Sequence, residues 1–155
     1  MSLLTDAIFI EALNTDQQLM SMLAAGDVYG TTIALPDEDI MNAPLPYCIV
    51  TYDGMNNDPG TKDDYEGDYD QVRIGVTVAA KTRAELARLI VMVRNRIRDY
   101  FSGVAEEEIK TENEGLVPYD YTLQSSPVQY DILKPCYWQT LTYSCDTLAT
   151  DTLPT

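Results

Sequence analysis

Carboxylates are the side chains this sequence supplies in quantity for chemistry. Twenty-five Asp and Glu stand against ten Lys and Arg, and there is no histidine. Without an imidazole the commonest general base is missing, and with it every Ser-His or Cys-His nucleophile pair. Zinc loses its commonest ligand outside all-cysteine sites. The three cysteines, Cys48, Cys136 and Cys145, contain no Cys-x-x-Cys pair and cannot supply four thiolates. Neither glycine-rich phosphate-binding fingerprint occurs.

The densest acidic run is residues 53–70, DGMNNDPGTKDDYEGDYD, with Asp53, Asp58, Asp63, Asp64, Glu66, Asp68 and Asp70. Oxygen ligands of this kind could hold Ca²⁺ or Mg²⁺, but the spacing does not match a calcium-binding loop. The plain reading is a solvated loop whose charges repel one another. A third reading is a loop that presents negative charge to something else. A paired-carboxylate glycosidase remains open on composition, although nothing selects two carboxylates from the rest. The expectation is a protein that is not an enzyme, with no catalytic, cofactor-binding or metal-binding residues and no cofactor.

The bases are placed just as unevenly. Residues 1–72 hold fourteen acids and one base, a net of −13. Residues 73–98 hold seven bases and one acid, a net of +6; residues 99–155 hold ten acids and two bases, a net of −8. The whole chain carries −15. Acidic faces of this strength repel nucleic acid and anionic membranes. The basic set is Arg73, Lys81, Arg83, Arg88, Arg94, Arg96 and Arg98. It reads as a solvated helix face, as a docking surface for acidic protein, including another copy, or, against the strongly negative chain, as a nucleic-acid surface. Eleven tyrosines, several crowded with Trp138 near the C-terminus, suit half-buried sheet or a protein interface equally.

The elements that must position these groups follow from periodicity. Residues 3–13 place apolar side chains at helical spacing, and Thr15-Asp16 offers a cap for a second short helix ending at Gly26. Residues 28–35 read as a short strand, and the β-branched and aromatic run 47–52 as a firm one. Val72, Ile74, Val76 and Val78 alternate, which predicts a half-buried strand antiparallel to 47–52. Thr82 with Glu85 matches a capping box. Leu86, Leu89, Ile90, Val93, Ile97, Tyr100 and Phe101 then fall on one face of a helix over 82–101 that stops at Gly103. Val91 and Met92 sit off that stripe and either broaden the buried face or touch a partner. Strand-like stretches follow at 119–123, 128–133 and 136–145.

This order gives an α+β class. A mostly antiparallel sheet of about four to six strands carries one long helix, with a short N-terminal helix pair. Residues 1–146 form a single domain and 147–155 a flexible polar tail. A buried, reduced Cys48 fits its apolar surroundings. The N-terminus lacks a basic segment, and no apolar run is long enough to span a bilayer, so synthesis in a cytoplasm is expected, with no membrane partner.

Taken in order, the helix pair of residues 3–25, the stretch 28–52 with APLPYCIV at 43–50, the strand 72–78 and the helix after Lys81-Thr82-Arg83 resemble the tail terminator (tail-completion) proteins of long-tailed bacteriophages and prophages. The resemblance implies a homo-hexameric ring that caps the tail tube and joins it to the head. Its partners would be further copies of itself, the tail tube protein and the head–tail connector proteins. DNA would pass through without specific binding, and the protein would reside in the virion after synthesis in the bacterial host. On this reading the acids of loop 53–70 face the channel, and Arg88, Val91, Met92, Arg94 and Arg98 contribute to the subunit interface. Another connector or tube component, or an acidic inhibitor that mimics DNA, stands as the alternative.

Overall fold

The alternating run at residues 72–78 is the axis of the fold. In the structure, a computed structural model that describes residues 5–31, 43–57, 67, 69–102 and 120–148, it lies in β3 (Tyr69–Ala80). Val72, Ile74, Val76 and Val78 are all fully buried on one face. The period of two puts every second side chain there, and their β-branched shape suits a pleated surface.

Antiparallel partners flank β3 on both sides: β2 (Tyr47–Asn56) and β6 (Cys136–Leu148). Beyond β2 lies β1 (Tyr29–Thr31), which runs parallel to it. Beyond β6 lies β4 (Asp120–Ser125), giving the sheet order β1-β2-β3-β6-β4. A further strand, β5 (Gln129–Asp131), also pairs with β6. Sheet and helices together make an α+β fold.

Among the described residues three helices cover one face: α1 (Thr5–Asn14), α2 (Gln17–Met22) and α3 (Arg83–Phe101). Leu86, Leu89, Ile90, Val93, Ile97 and Tyr100 are the buried side of α3, as its 100° periodicity requires. They join Ile8, Phe9 and Leu13 of α1 and the inward residues of β2, β3 and β6 in one core. Phe9 lies 5.3 Å from Phe101 and 5.2 Å from Tyr143, ring centre to ring centre, so aromatic contacts tie α1, α3 and β6. A smaller cluster sits on the opposite face, where Ala43, Tyr47, Ile49, Ala79 and Cys136 pack with Tyr29, Leu45 and Trp138.

The helix starts follow the caps. Thr82 Oγ1 accepts the Glu85 N–H, and Asp16 Oδ1 accepts the N–H groups of Gln18 and Leu19. These side chains satisfy donors that a helix start leaves open. The second helix ends at Met22, four residues before Gly26, and α3 ends at Phe101 with Ser102 as its cap.

Several sequence expectations change. Residues 53–70 are not one loop: β2 continues to Asn56 and β3 begins at Tyr69. A bulge makes the extension fit, because Tyr52 faces Ile74 while Gly54 faces Arg73 and Asp53 is the extra residue. Gly54 has φ +111°, a conformation that side-chain-bearing residues rarely adopt. The strand expected over 28–35 is described only as Tyr29–Thr31, with 32–35 outside the described residues, and its pairing is parallel.

The stretch 128–133 shortens to β5, because the Asp131 carboxylate accepts the N–H groups of Leu133 and Lys134 and turns the chain. β6 carries on through Thr147 and Leu148, which were expected in the tail; they pair with Asp70 and Tyr69. Residues 149–155 lie outside the described residues.

β4 and β5 lie end to end along β6 but out of step. Ser125 faces Leu141 and Gln129 faces Trp138, so three residues of one side span two of the other. Ser126 holds this bulge: its N–H donates to Thr140 O at 2.8 Å and its Oγ accepts the Thr140 N–H at 3.0 Å.

Candidate subunit interface

The outer face of α3 is built by the same periodicity that buries its inner face. Arg88, Arg94 and Arg98 are exposed, and Val91 lies among them at 54% exposure. A single exposed aliphatic residue is ordinary on a protein surface, so the distinguishing feature of this face is its arginines. Arg88 and Arg94 form no ion pair among the described residues, while Arg98 Nε lies 3.4 Å from Asp99 Oδ1. Met92 is half-buried and packs against the core, the first of the two roles its position off the stripe allowed.

Arg96 also leaves the basic set. Its side chain turns inward to α1, donating from Nε to Ala12 O and from Nη2 to Thr15 Oγ1. Arg73 is half-buried on the face of the sheet away from the helices, close to Gly54. Lys81 and Arg83 are exposed at the start of α3.

Beside Arg94 the helix and the sheet edge leave a shallow notch of about 170 Å³, lined by Ile90, Arg94, Leu123, Ser125, Gln139 and Leu141. Three of its lining side chains are aliphatic and three are polar, and Ile90 and Leu141 are nearly fully buried. Among the described residues no group of three or more His, Cys, Asp or Glu converges as a metal site would require.

The acidic run divides. Asp53 and Asp70 lie on strands, and Asp58, Asp63, Asp64, Glu66 and Asp68 lie outside the described residues. Asp53 is exposed on the face away from α3 and accepts a hydrogen bond from Thr51 Oγ1 at 2.8 Å. Its neighbour across the strand is Gly75, where an added Cβ would come within 2.5 Å of Asp53 Oδ2. Asp70 is only 6% exposed, so it presents no charge to a channel. Asn57 holds it at 2.8 Å and clamps Gly67 from both sides, with Gly67 N donating to Asn57 Oδ1. Of the two acids at the ends of the run, Asp70 thus helps Asn57 close the β2–β3 hairpin.

Buried ionisable groups also lie elsewhere, among them Asp6 and Cys48. Burial raises the Asp6 carboxyl above its usual range, and backbone N–H groups offset this only in part. Burial pushes the Cys48 thiol up to about 12. Neither group belongs to an arrangement that converges on a reacting atom.

The sequence matches no protein-family model, and no curated protein is significantly similar to it.

Sequence reasoning missed the end of the β5–β6 hairpin. Ile132 and Leu133, read as strand, stand in the turn at 81% and 83% exposure. The signal was the Asp131 and Lys134-Pro135 pair around them, which favours a turn over a continued strand.

Proposed function

We propose that this chain is a self-assembling structural subunit of the tail-terminator kind, forming a ring that caps a phage tail tube and joins it to the head. The observation that carries the reading is the exposed arginine face of α3. Residues 83–101 carry five Arg against two acids on a chain of net charge −15. Arg88, Val91, Arg94 and Arg98 stand on the outside of that helix. A face so unlike the rest of the surface docks against a different patch of the next copy, and such heterologous contacts make a ring where the rotation between copies closes. The acidic remainder disfavours DNA adhesion, which suits a passage for DNA. On this reading the protein is made in the bacterial host, is carried in the virion, and meets the tail tube and connector proteins at its two rims.

The experiment is sedimentation of the purified chain over a range of concentration and salt, with electron microscopy of the chain added to tail tubes. A closed oligomer that weakens with salt, and a cap at tube ends, are expected. Arg94→Glu with Arg98→Glu should weaken assembly. A chain that neither assembles nor caps tubes would overturn the reading.

A further inference from the structure

The bulge between β4 and β5 places polar groups beside α3. Ser126 holds the Thr140 backbone through its N–H and Oγ, and its carbonyl accepts an N–H from Gln139 Nε2 at 2.9 Å. One N–H of the Gln139 carboxamide is thereby fixed, and the other has no partner among the described residues. Bulges re-aim the side chains next to them. Here the held Gln139 and the exposed Ser125 hydroxyl both line the notch.

Arg94 supplies the charge. Its exposed guanidinium lines the same notch and forms no ion pair among the described residues. No acid is in the lining. Asp120 on β4 lies five residues from Ser125, and Asp146 on β6 five residues from Leu141, each roughly 17 Å along its strand. Strand alternation also sends Asp146 to the face opposite Leu141. Asp131 faces Cys136, three residues from Gln139, and its carboxylate is engaged by the Leu133 and Lys134 N–H groups. Asp99 on α3 is paired with Arg98.

The backing is apolar. Ile90 and Leu141 are nearly fully buried, as is Tyr143, whose hydroxyl has no partner among the described residues. Burial raises the Tyr143 phenol above its ordinary value; Tyr121 adds to this and Arg94 opposes it, so the guanidinium charge is felt at this buried layer. A charged hydrogen bond formed against such backing is stronger than one in open water.

We propose that the notch binds a carboxylate, with Arg94 as its ion-pair partner and Ser125 and Gln139 as neutral donors. A guanidinium meets a carboxylate through two parallel N–H bonds, a geometry an ammonium does not offer. At about 170 Å³ the notch is comparable with a ~150 Å³ cavity that admits benzene, and so takes a carboxylate on a short aliphatic stem. The group comes from an acidic side chain of another copy or from a free small acid.

Glutarate is the probe, since it carries the carboxylate and stem of a Glu side chain. Titrated at fixed ionic strength into the full ¹⁵N-labelled chain below its assembly concentration, it should shift the Gln139 side-chain and Ser125 backbone amide resonances saturably. Arg94→Gln should weaken binding by about tenfold or more, and Arg94→Lys by less, because it keeps the charge and loses the fork. Arg94 is exposed, so circular dichroism melts of both variants should match the parent. Arg83→Gln, at the exposed start of α3, should bind like the parent. Shifts that do not saturate, or an Arg83→Gln chain weakened as much as Arg94→Gln, would overturn the site. Inorganic phosphate that binds more tightly than glutarate would overturn its assignment to carboxylates. Sedimentation separates the sources. Assembled parent chain that dissociates in saturating glutarate assigns the carboxylate to a neighbouring copy, and assembly that persists with the notch saturated assigns it to a free acid. A parent chain that never assembles would overturn the self-assembly reading alone, because the titration reads the notch in the single chain.

Discussion

Arg96 Nε donates to Ala12 O at 2.7 Å, joining the middle of one helix to the end of another across 84 positions of sequence. The last carbonyls of α1 have no partners within their own helix. Thr15 Oγ1 takes up Glu11 O and Ala12 O, and Arg96 adds a positive charge where the helix end is negative. The guanidinium also lies 5.4 Å from the Tyr100 ring centre. Removing it with Arg96→Ala should cost about 1.5–3 kcal/mol, the range for hydrogen bonds to charged groups. Urea denaturation measures this. The same variant should assemble like the parent, because Arg96 faces inward, unlike Arg94 and Arg98.

The Tyr143 hydroxyl is buried with no hydrogen-bond partner among the described residues, although its ring packs at 5.2 Å from Phe9 and 5.3 Å from Tyr121. An unpaired buried hydroxyl is a cost to the fold, while the ring is a benefit. Tyr143→Phe keeps the ring and removes the cost, so it should leave stability unchanged or raise it by about 1 kcal/mol. Tyr143→Ala would remove both ring contacts and should destabilise by about 3–5 kcal/mol. Thermal melts of the two variants, compared with the parent, check the opposite signs.

Thiol chemistry should be silent in the folded protein. Cys48 is enclosed, and burial pushes its thiol up to about 12, so the nucleophilic thiolate is scarce at neutral pH. Burial and the nearby Asp131 charge raise Cys136 as well, with Lys134 opposing them. A disulfide exchange reagent such as DTNB should label none of the three cysteines at pH 8 within minutes, and all three after addition of denaturant. Rapid labelling of the native chain would contradict the burial.

Asp6 sets a pH dependence of definite sign. Burial raises its carboxyl above the ordinary value, so the folded chain holds this proton more tightly than the unfolded chain. The stabilising contribution is complete below the ordinary carboxylate range and is lost as pH rises through the raised value. At neutral pH the group is a buried charge that costs stability. Asp6→Asn should therefore melt higher than the parent at about pH 7, and the difference should shrink as pH falls through the carboxylate range. A difference that grows on acidification would refute this.

Much of the fold could be read locally. The stripe of α3, the alternation of β3 and the caps at Asp16 and Thr82 are set by neighbours within a turn or two, and the structure has each of them. What escaped depends on distant contacts. Arg96 stands among outward-facing arginines and differs from them only because Ala12 and Thr15 lie opposite. Asp53 and Asp70 looked like loop residues because polar composition signals a loop. A bulge at Gly54 and the Asn57 clamp extend the strands into it instead. Ile132 and Leu133 looked like strand because apolar residues usually seek cover, and one carboxylate, Asp131, reversed the chain beneath them.

The break at Ser126 has a consequence for how this chain behaves when crowded. An uninterrupted outer strand offers its backbone as a template on which foreign strands can grow into fibrils. Here the rim offers six residues on β4 and three on β5, kinked out of step between them. Concentrated stocks should accordingly stay clear and free of amyloid-dye signal, and copies that do associate must recognise one another by side chains instead of by zipping main chains together.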